Sequence, residues 1–180
     1  MKNKYKKILQ YSIILLAIAV IFVSGRSFSQ FTNDIFSKTS IVSLTNESRK
    51  LNKVKTLKKS KKLTDAAQKK AEDMLKNQYF AHVSPNGRKA WDFLDEVKYD
   101  YFSAGENLAM NFSSPETVTE KWMQSPTHRA NMLNSDYTEI GIGTVHGNFQ
   151  GKQTTFIVQI FGRPLRPSLS AQINTGKVFE

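Results

Sequence analysis

Eighteen consecutive residues, Ile8 to Gly25, carry no charge, and Ile13 to Val23 within them are apolar without a break. At about 1.5 Å per residue such a helix reaches roughly 27 Å, close to the ~30 Å hydrocarbon core of a bilayer. The run stands behind Lys2, Lys4, Lys6 and Lys7. It therefore reads as an N-terminal hydrophobic helix that keeps its lysines inside and places the remainder outside the cytoplasm. Two fates stay open for residues 1–25: a single-pass anchor in the cell membrane, or a signal segment cut among Ser24, Gly25, Ser27 and Ser29 so that the rest is secreted. Residues 26–39 follow as a polar linker with scattered phenylalanines.

From Ser40 the period becomes helical. Ile41, Leu44, Ser48 and Leu51 share one mainly apolar face. After a lysine-rich connection, a second helix capped by Thr64 runs through Ala67, Ala71, Met74 and Leu75 to Gln78. The chain then leaves the helix and turns at Ser84-Pro85-Asn86-Gly87. A short helix carries Trp91, Leu94 and Val97, and Gly105 to Ala109 reads as an apolar, strand-like stretch. Ser114-Pro115-Glu116 combines a capping hydroxyl, a proline suited to the first helical position and an acid at the positive helix end. Ser125-Pro126-Thr127-His128 repeats that signal and opens a short helix ending near Leu133. Ile140 to Val145 and Thr154 to Phe161, separated by a loop at 147–151, predict an antiparallel hairpin. The pattern assigns one domain to 40–163 and an irregular tail to 164–180, which lacks apolar periodicity.

Charge changes the picture once it is located. The net charge of +11 comes from the four N-terminal lysines and eight basic residues between Arg49 and Lys62; everything else sums to one negative charge. No broad basic face tracking a phosphate backbone is expected, which argues against nucleic acid as a partner. The chain has no cysteine, so disulfides, thiolate metal sites, a thiol nucleophile and a lipidated cysteine are all excluded.

H-E-x-x-H, G-x-S-x-G and glycine-rich phosphate-binding motifs are absent, which removes the usual support for zincin, esterase and nucleotide-binding readings. Of the three histidines, His146 falls in the predicted hairpin loop and reads as solvated. His82 sits on the exit from the second helix. His128 lies in the first turn of a helix, whose positive end favours the neutral imidazole. Glu106 stands in an apolar stretch, and a carboxylate there needs a partner. Backbone, Asn131 or Arg129 would each serve.

Five segments in order resemble the CAP superfamily of cysteine-rich secretory proteins, insect venom antigens and plant pathogenesis-related proteins, in a bacterial form. They are Leu44 to Arg49 (LTNESR), Phe80 to Gly87 (FAHVSPNG), Gly105 to Ala109 (GENLA), Trp122 to Arg129 (WMQSPTHR), and Ile140 to Gly143 (IGIG) before Gln159 to Gly162 (QIFG). The resemblance implies an α+β fold, a three-layer α-β-α sandwich with a mostly antiparallel central sheet. It also implies a cleft with two histidines and two glutamates, which in some members binds a divalent metal. His82, Glu106 and His128 fall on three of those positions; the fourth, glutamate in many eukaryotic relatives, is Ser125 here.

The expected function is an extracytoplasmic module at the cell surface that binds a small ligand or a divalent cation such as zinc. His82 and His128 are its metal ligands and Glu106 orients one imidazole. Two alternatives stand beside it. In a hydrolase, His82, Glu106 and His128 form the catalytic set, with His128 as base toward a water or Ser84 and Glu106 fixing its tautomer. In an adhesion protein, the basic residues from Arg49 to Lys62 bind anionic lipid or cell-wall polymer.

Overall fold

The computed structural model describes residues 38–165; the expected N-terminal hydrophobic helix, most of the expected linker and nearly all of the expected irregular tail lie outside them. In chain order the elements are α1 (Lys38–Leu51), β1 (Lys58–Lys59), α2 (Lys61–Lys76), α3 (Ala90–Glu96), β2 (Tyr101–Met110), α4 (Pro115–Gln124), α5 (Pro126–Leu133), β3 (Glu139–Phe149) and β4 (Lys152–Pro164). The strands form one sheet in the order β1-β3-β4-β2, with β1 parallel to β3 and the other pairs antiparallel. Helices α2 and α3 pack on one face, while α1, α4 and α5 pack together on the other side. The result is the α+β sandwich that the resemblance implied.

Strand alternation sorts side chains between the layers. Gly141 and Gly143 face α2, and a Cβ at either position would lie 2.1 Å from the main chain of Leu63 or Ala67. Their lack of a side chain lets the small residues of α2 approach the sheet directly. Leu63, Ala66, Ala67, Ala71 and Met74 bury themselves there against Phe156, Val158 and Ile160 of β4. Full burial of each large aliphatic or aromatic side chain contributes roughly 1.5–3 kcal/mol.

Several local expectations are corrected. Helix α2 starts at Lys61 rather than Thr64, and the Thr64 hydroxyl donates back to the carbonyl of Ser60 at 2.8 Å instead of capping. The buried stripe of α1 is Ile41, Thr45 and Arg49, whereas Leu51 is 79% exposed. Polar residues reach that face because each is satisfied. Thr45 Oγ1 donates to the carbonyl of Ile41 and accepts from Gln159 Nε2. Arg49 donates to the carbonyls of Lys55, Met132, Asn134 and Tyr137, so it leaves the expected cationic surface cluster. The lysine-rich connection contains the short parallel strand β1. The hairpin loop narrows to Gln150 and Gly151, both at positive φ, the pairing that suits the twist of a two-residue turn.

Strand β2 is an edge strand, yet part of its open side is covered. The carbonyls of Ala104, Glu106 and Leu108 accept hydrogen bonds from Tyr137 Oη, Asn131 Nδ2 and Trp122 Nε1 at 3.0–3.1 Å. Alternate acceptors on one edge are thereby taken by side chains of α4, α5 and the following loop, which blocks addition of another strand and fixes Glu106.

Candidate functional site

The site begins where α2 ends. Gln78 adopts positive φ and Tyr79 N donates to the carbonyl of Met74, which turns the chain away from the helix axis. The next residues are held from below by Lys70, a side chain with no exposed surface. Its Nζ donates to Tyr79 Oη (3.1 Å) and to the carbonyls of Ala81 (3.0 Å) and His82 (3.1 Å). Tyr79 Oη in turn donates to Asp73 Oδ2 at 2.6 Å. Burial pushes the Lys70 ammonium below its ordinary value, opposed by the charges of Glu106 and Asp73.

Beyond His82 the loop is fastened a second time. Ser84 is buried and accepts from Arg88 N, donates to Asn86 Oδ1, and pairs through its main chain with Arg88 and Gly87. Gly87 sits at φ +87°, a conformation that favours glycine. Arg88 bonds Asp73 and Glu96 while its guanidinium lies 4.1 Å from the Phe93 ring centre.

Glu106 meets this loop from β2. Its pairing with Ile160 puts it on the α2 face, and its side chain is only 4% exposed against 63% for His82. Glu106 Oε1 lies 2.6 Å from His82 Nδ1. That hydrogen bond is the main cause raising the His82 pKa above its ordinary value, against burial and the charge of Lys70. The other oxygen, Oε2, is buried without a hydrogen-bond partner. A buried carboxyl group therefore anchors an exposed imidazole at Nδ1, and Nε2 is the ring nitrogen left open.

His128 occupies the first turn of α5, as expected. Its Nδ1 lies 2.8 Å from Ser125 Oγ, so the serine hydroxyl attends the imidazole and does not cap the helix. His128 is pushed below its ordinary pKa, first by burial and then by the charge of His82. The direction agrees with the helix-end argument, although the leading cause is desolvation.

The three predicted residues are thus brought together unequally. His82 and Glu106 form a direct pair and line a cleft of about 360 Å³ with Trp91, Asn131 and Tyr137; His128 stands outside its lining. Glu106 bonds the ring of His82 and not that of His128, and Ser84 is committed to its turn. Neither Asn131 nor Arg129 supplies the acid's side-chain partner: Asn131 bonds the Glu106 carbonyl and Arg129 bonds Asn52. Among the described residues no group of three or more histidine, aspartate or glutamate side chains converges as a metal cluster. His146 is exposed on β3, its Nδ1 2.9 Å from Thr155 Oγ1. Lys70 is the residue missed from sequence, although its phase among Leu63, Ala66, Ala67 and Met74 placed it on the buried face of α2.

Comparison with known proteins identifies the family and the fold. The model of the cysteine-rich secretory protein family, CAP, matches residues 42–161. YkwD of Bacillus subtilis (strain 168) is 38% identical over 105 residues, which cover 58% of this chain and 41% of YkwD. The membrane protein YlbC of the same strain is 37% identical over 107 residues, covering 59% of this chain and 31% of YlbC. The chain therefore spans well under half the length of these two relatives. The crystal structure of an extracellular protein containing an SCP domain from Bacillus anthracis str. Ames superposes with a TM-score of 0.61 at 32% identity, over 70% of this chain and 40% of that one.

Proposed function

The chain belongs to the CAP family, and from that premise we propose that its folded domain is an extracytoplasmic binding module whose cleft takes a divalent cation such as zinc. The observation that carries this reading is the 2.6 Å bond between buried Glu106 and exposed His82. A carboxylate on Nδ1 fixes the ring orientation and directs Nε2 outward, the arrangement by which acids support metal-bound imidazoles. His128 lies outside the cleft's lining but close enough for the charge of His82 to act on it; biased toward neutrality and held at Nδ1 by Ser125, it would supply the second imidazole from the rim. A bound cation would contribute a Lewis-acidic centre to which an anionic ligand attaches. Two protein nitrogens make a weak, open site, consistent with serine at the position of the family's second glutamate.

Location outside the cytoplasm is supported by the uncharged segment Ile8 to Gly25 and by relatives described as membrane and extracellular proteins. Calorimetric titration of zinc into the full chain tests the binding reading. Heat is expected from wild type and its loss from the His82→Ala, His128→Ala double variant; equal heats would remove the cation.

A further inference from the structure

A second cavity, of about 650 Å³, opens where the connection before β1 meets the end of β4 and shares Tyr137 with the His82 cleft as a wall residue. Lys55, Lys58 and Arg163 line it with one acid, Glu139, leaving two positive charges in excess. None of the three cations forms an ion pair among the described residues.

Its apolar lining is unusual for a solvated surface. Tyr101 pairs with Pro164 and Ser103 with Arg163, so Phe102 is an extra residue in β2 with no partner in β4. Such a bulge re-aims a side chain. Here it leaves Phe102 68% exposed, with the Arg163 guanidinium 4.9 Å from its ring centre. Leu165, 56% exposed, is held alongside by its N–H to the carbonyl of Asp100. Two outward apolar side chains beside three unpaired cations match a ligand that is anionic at one end and apolar at the other. Lys59, Lys61 and Lys62, all exposed, continue the positive charge along the chain from Lys58.

We propose that this cavity docks on an anionic bilayer, with lipid phosphates at Lys55, Lys58 and Arg163 and with Phe102 and Leu165 entering the boundary between headgroups and acyl chains. This assignment does not rest on cation binding at His82. Bilayer attraction of this kind combines apolar burial with charge and weakens as salt screens it.

The chain lacks cysteine, so Phe102→Cys accepts a single environment-sensitive fluorophore in the full chain. Gln150→Cys, at the hairpin turn, serves as the control position. Both are reconstituted into vesicles of phosphatidylcholine alone or with roughly one third phosphatidylglycerol. The label at 102 is expected to shift to the blue and brighten several-fold only with the anionic lipid. It should return toward its aqueous emission in roughly 0.5 M salt and in the Lys55→Glu, Lys58→Glu, Arg163→Glu variant, whose fold is checked by circular dichroism. The label at 150 should not change. No shift at 102, an equal shift at 150, or persistence in the charge-reversed variant would overturn the proposal. So would a label already dry without vesicles, which assigns the cavity to another part of the chain, or a shift produced equally by free inorganic phosphate.

Discussion

Two buried cations fasten two loops in this domain, and they do so differently. Arg49, at the end of α1, sends its planar fork to carbonyls of the α1–α2 loop, of the end of α5 and of the segment before β3. Lys70, in the middle of α2, holds one short stretch, the turn that carries His82, and has Glu106 and Asp73 close enough to act on its charge. Arginine suits the first task because its fixed donors reach several acceptors at once, and lysine suits the second as a compact point charge. The first cation joins segments distant in sequence. The second also acts through its charge on the His82 imidazole.

The largest effect should come from Arg49→Met, which strands several buried carbonyls. A loss of about 3–4 kcal/mol in urea unfolding is expected, with Arg49→Lys restoring less than half. Were Lys70→Met to cost more, the contrast between wide and local fastening would be lost. For Lys70→Met the expectation is about 2–3 kcal/mol together with a higher His82 pKa by NMR titration, since the Lys70 charge holds that value down. An unmoved His82 titration would reduce Lys70 to a purely structural clamp.

Glu106→Gln removes the main cause of the raised His82 pKa, so the same titration should move down. Because the folded value is raised, the pair's stabilisation is complete below the unfolded histidine value of about 6.5 and is lost as pH rises through the folded value. With the ring 63% exposed, it should stay under about 1 kcal/mol. This is measured as the difference between wild type and Glu106→Gln in unfolding curves across that pH window; a difference that grows with pH would reverse the sign. Smallest is Ser125→Ala, expected to change stability by at most ~1 kcal/mol while shifting the His128 tautomer balance in nitrogen NMR.

Much of the architecture was readable because local chemistry and global fold agree. Ser114 caps α4 by accepting from Thr117 N, as Ser-Pro-Glu suggested, and the alternation from Ile140 onward does form the hairpin with β4. That Glu106 required a partner was also legible. Which imidazole it would meet was not, since the choice depends on strand register and on the path of a loop eighteen or more residues away. Arg49 and Lys70 were hidden for another reason: a charged residue in a helix is ordinarily solvated, and only its phase on the apolar stripe hinted otherwise. Strand β1 escaped notice because Lys58 and Lys59 pair through their backbones at a sheet edge, where side chains stay wet.

Gly141 and Gly143 lie on β3, away from the imidazoles, yet they set the height at which α2 rests on the sheet. Lys70 rides on that helix, so the thickness of one missing methyl group governs whether its ammonium can still grip the turn bearing His82. Alanine at Gly143 would work like a shim under a lever, lifting the grip and loosening the imidazole although no residue lining the cleft is substituted.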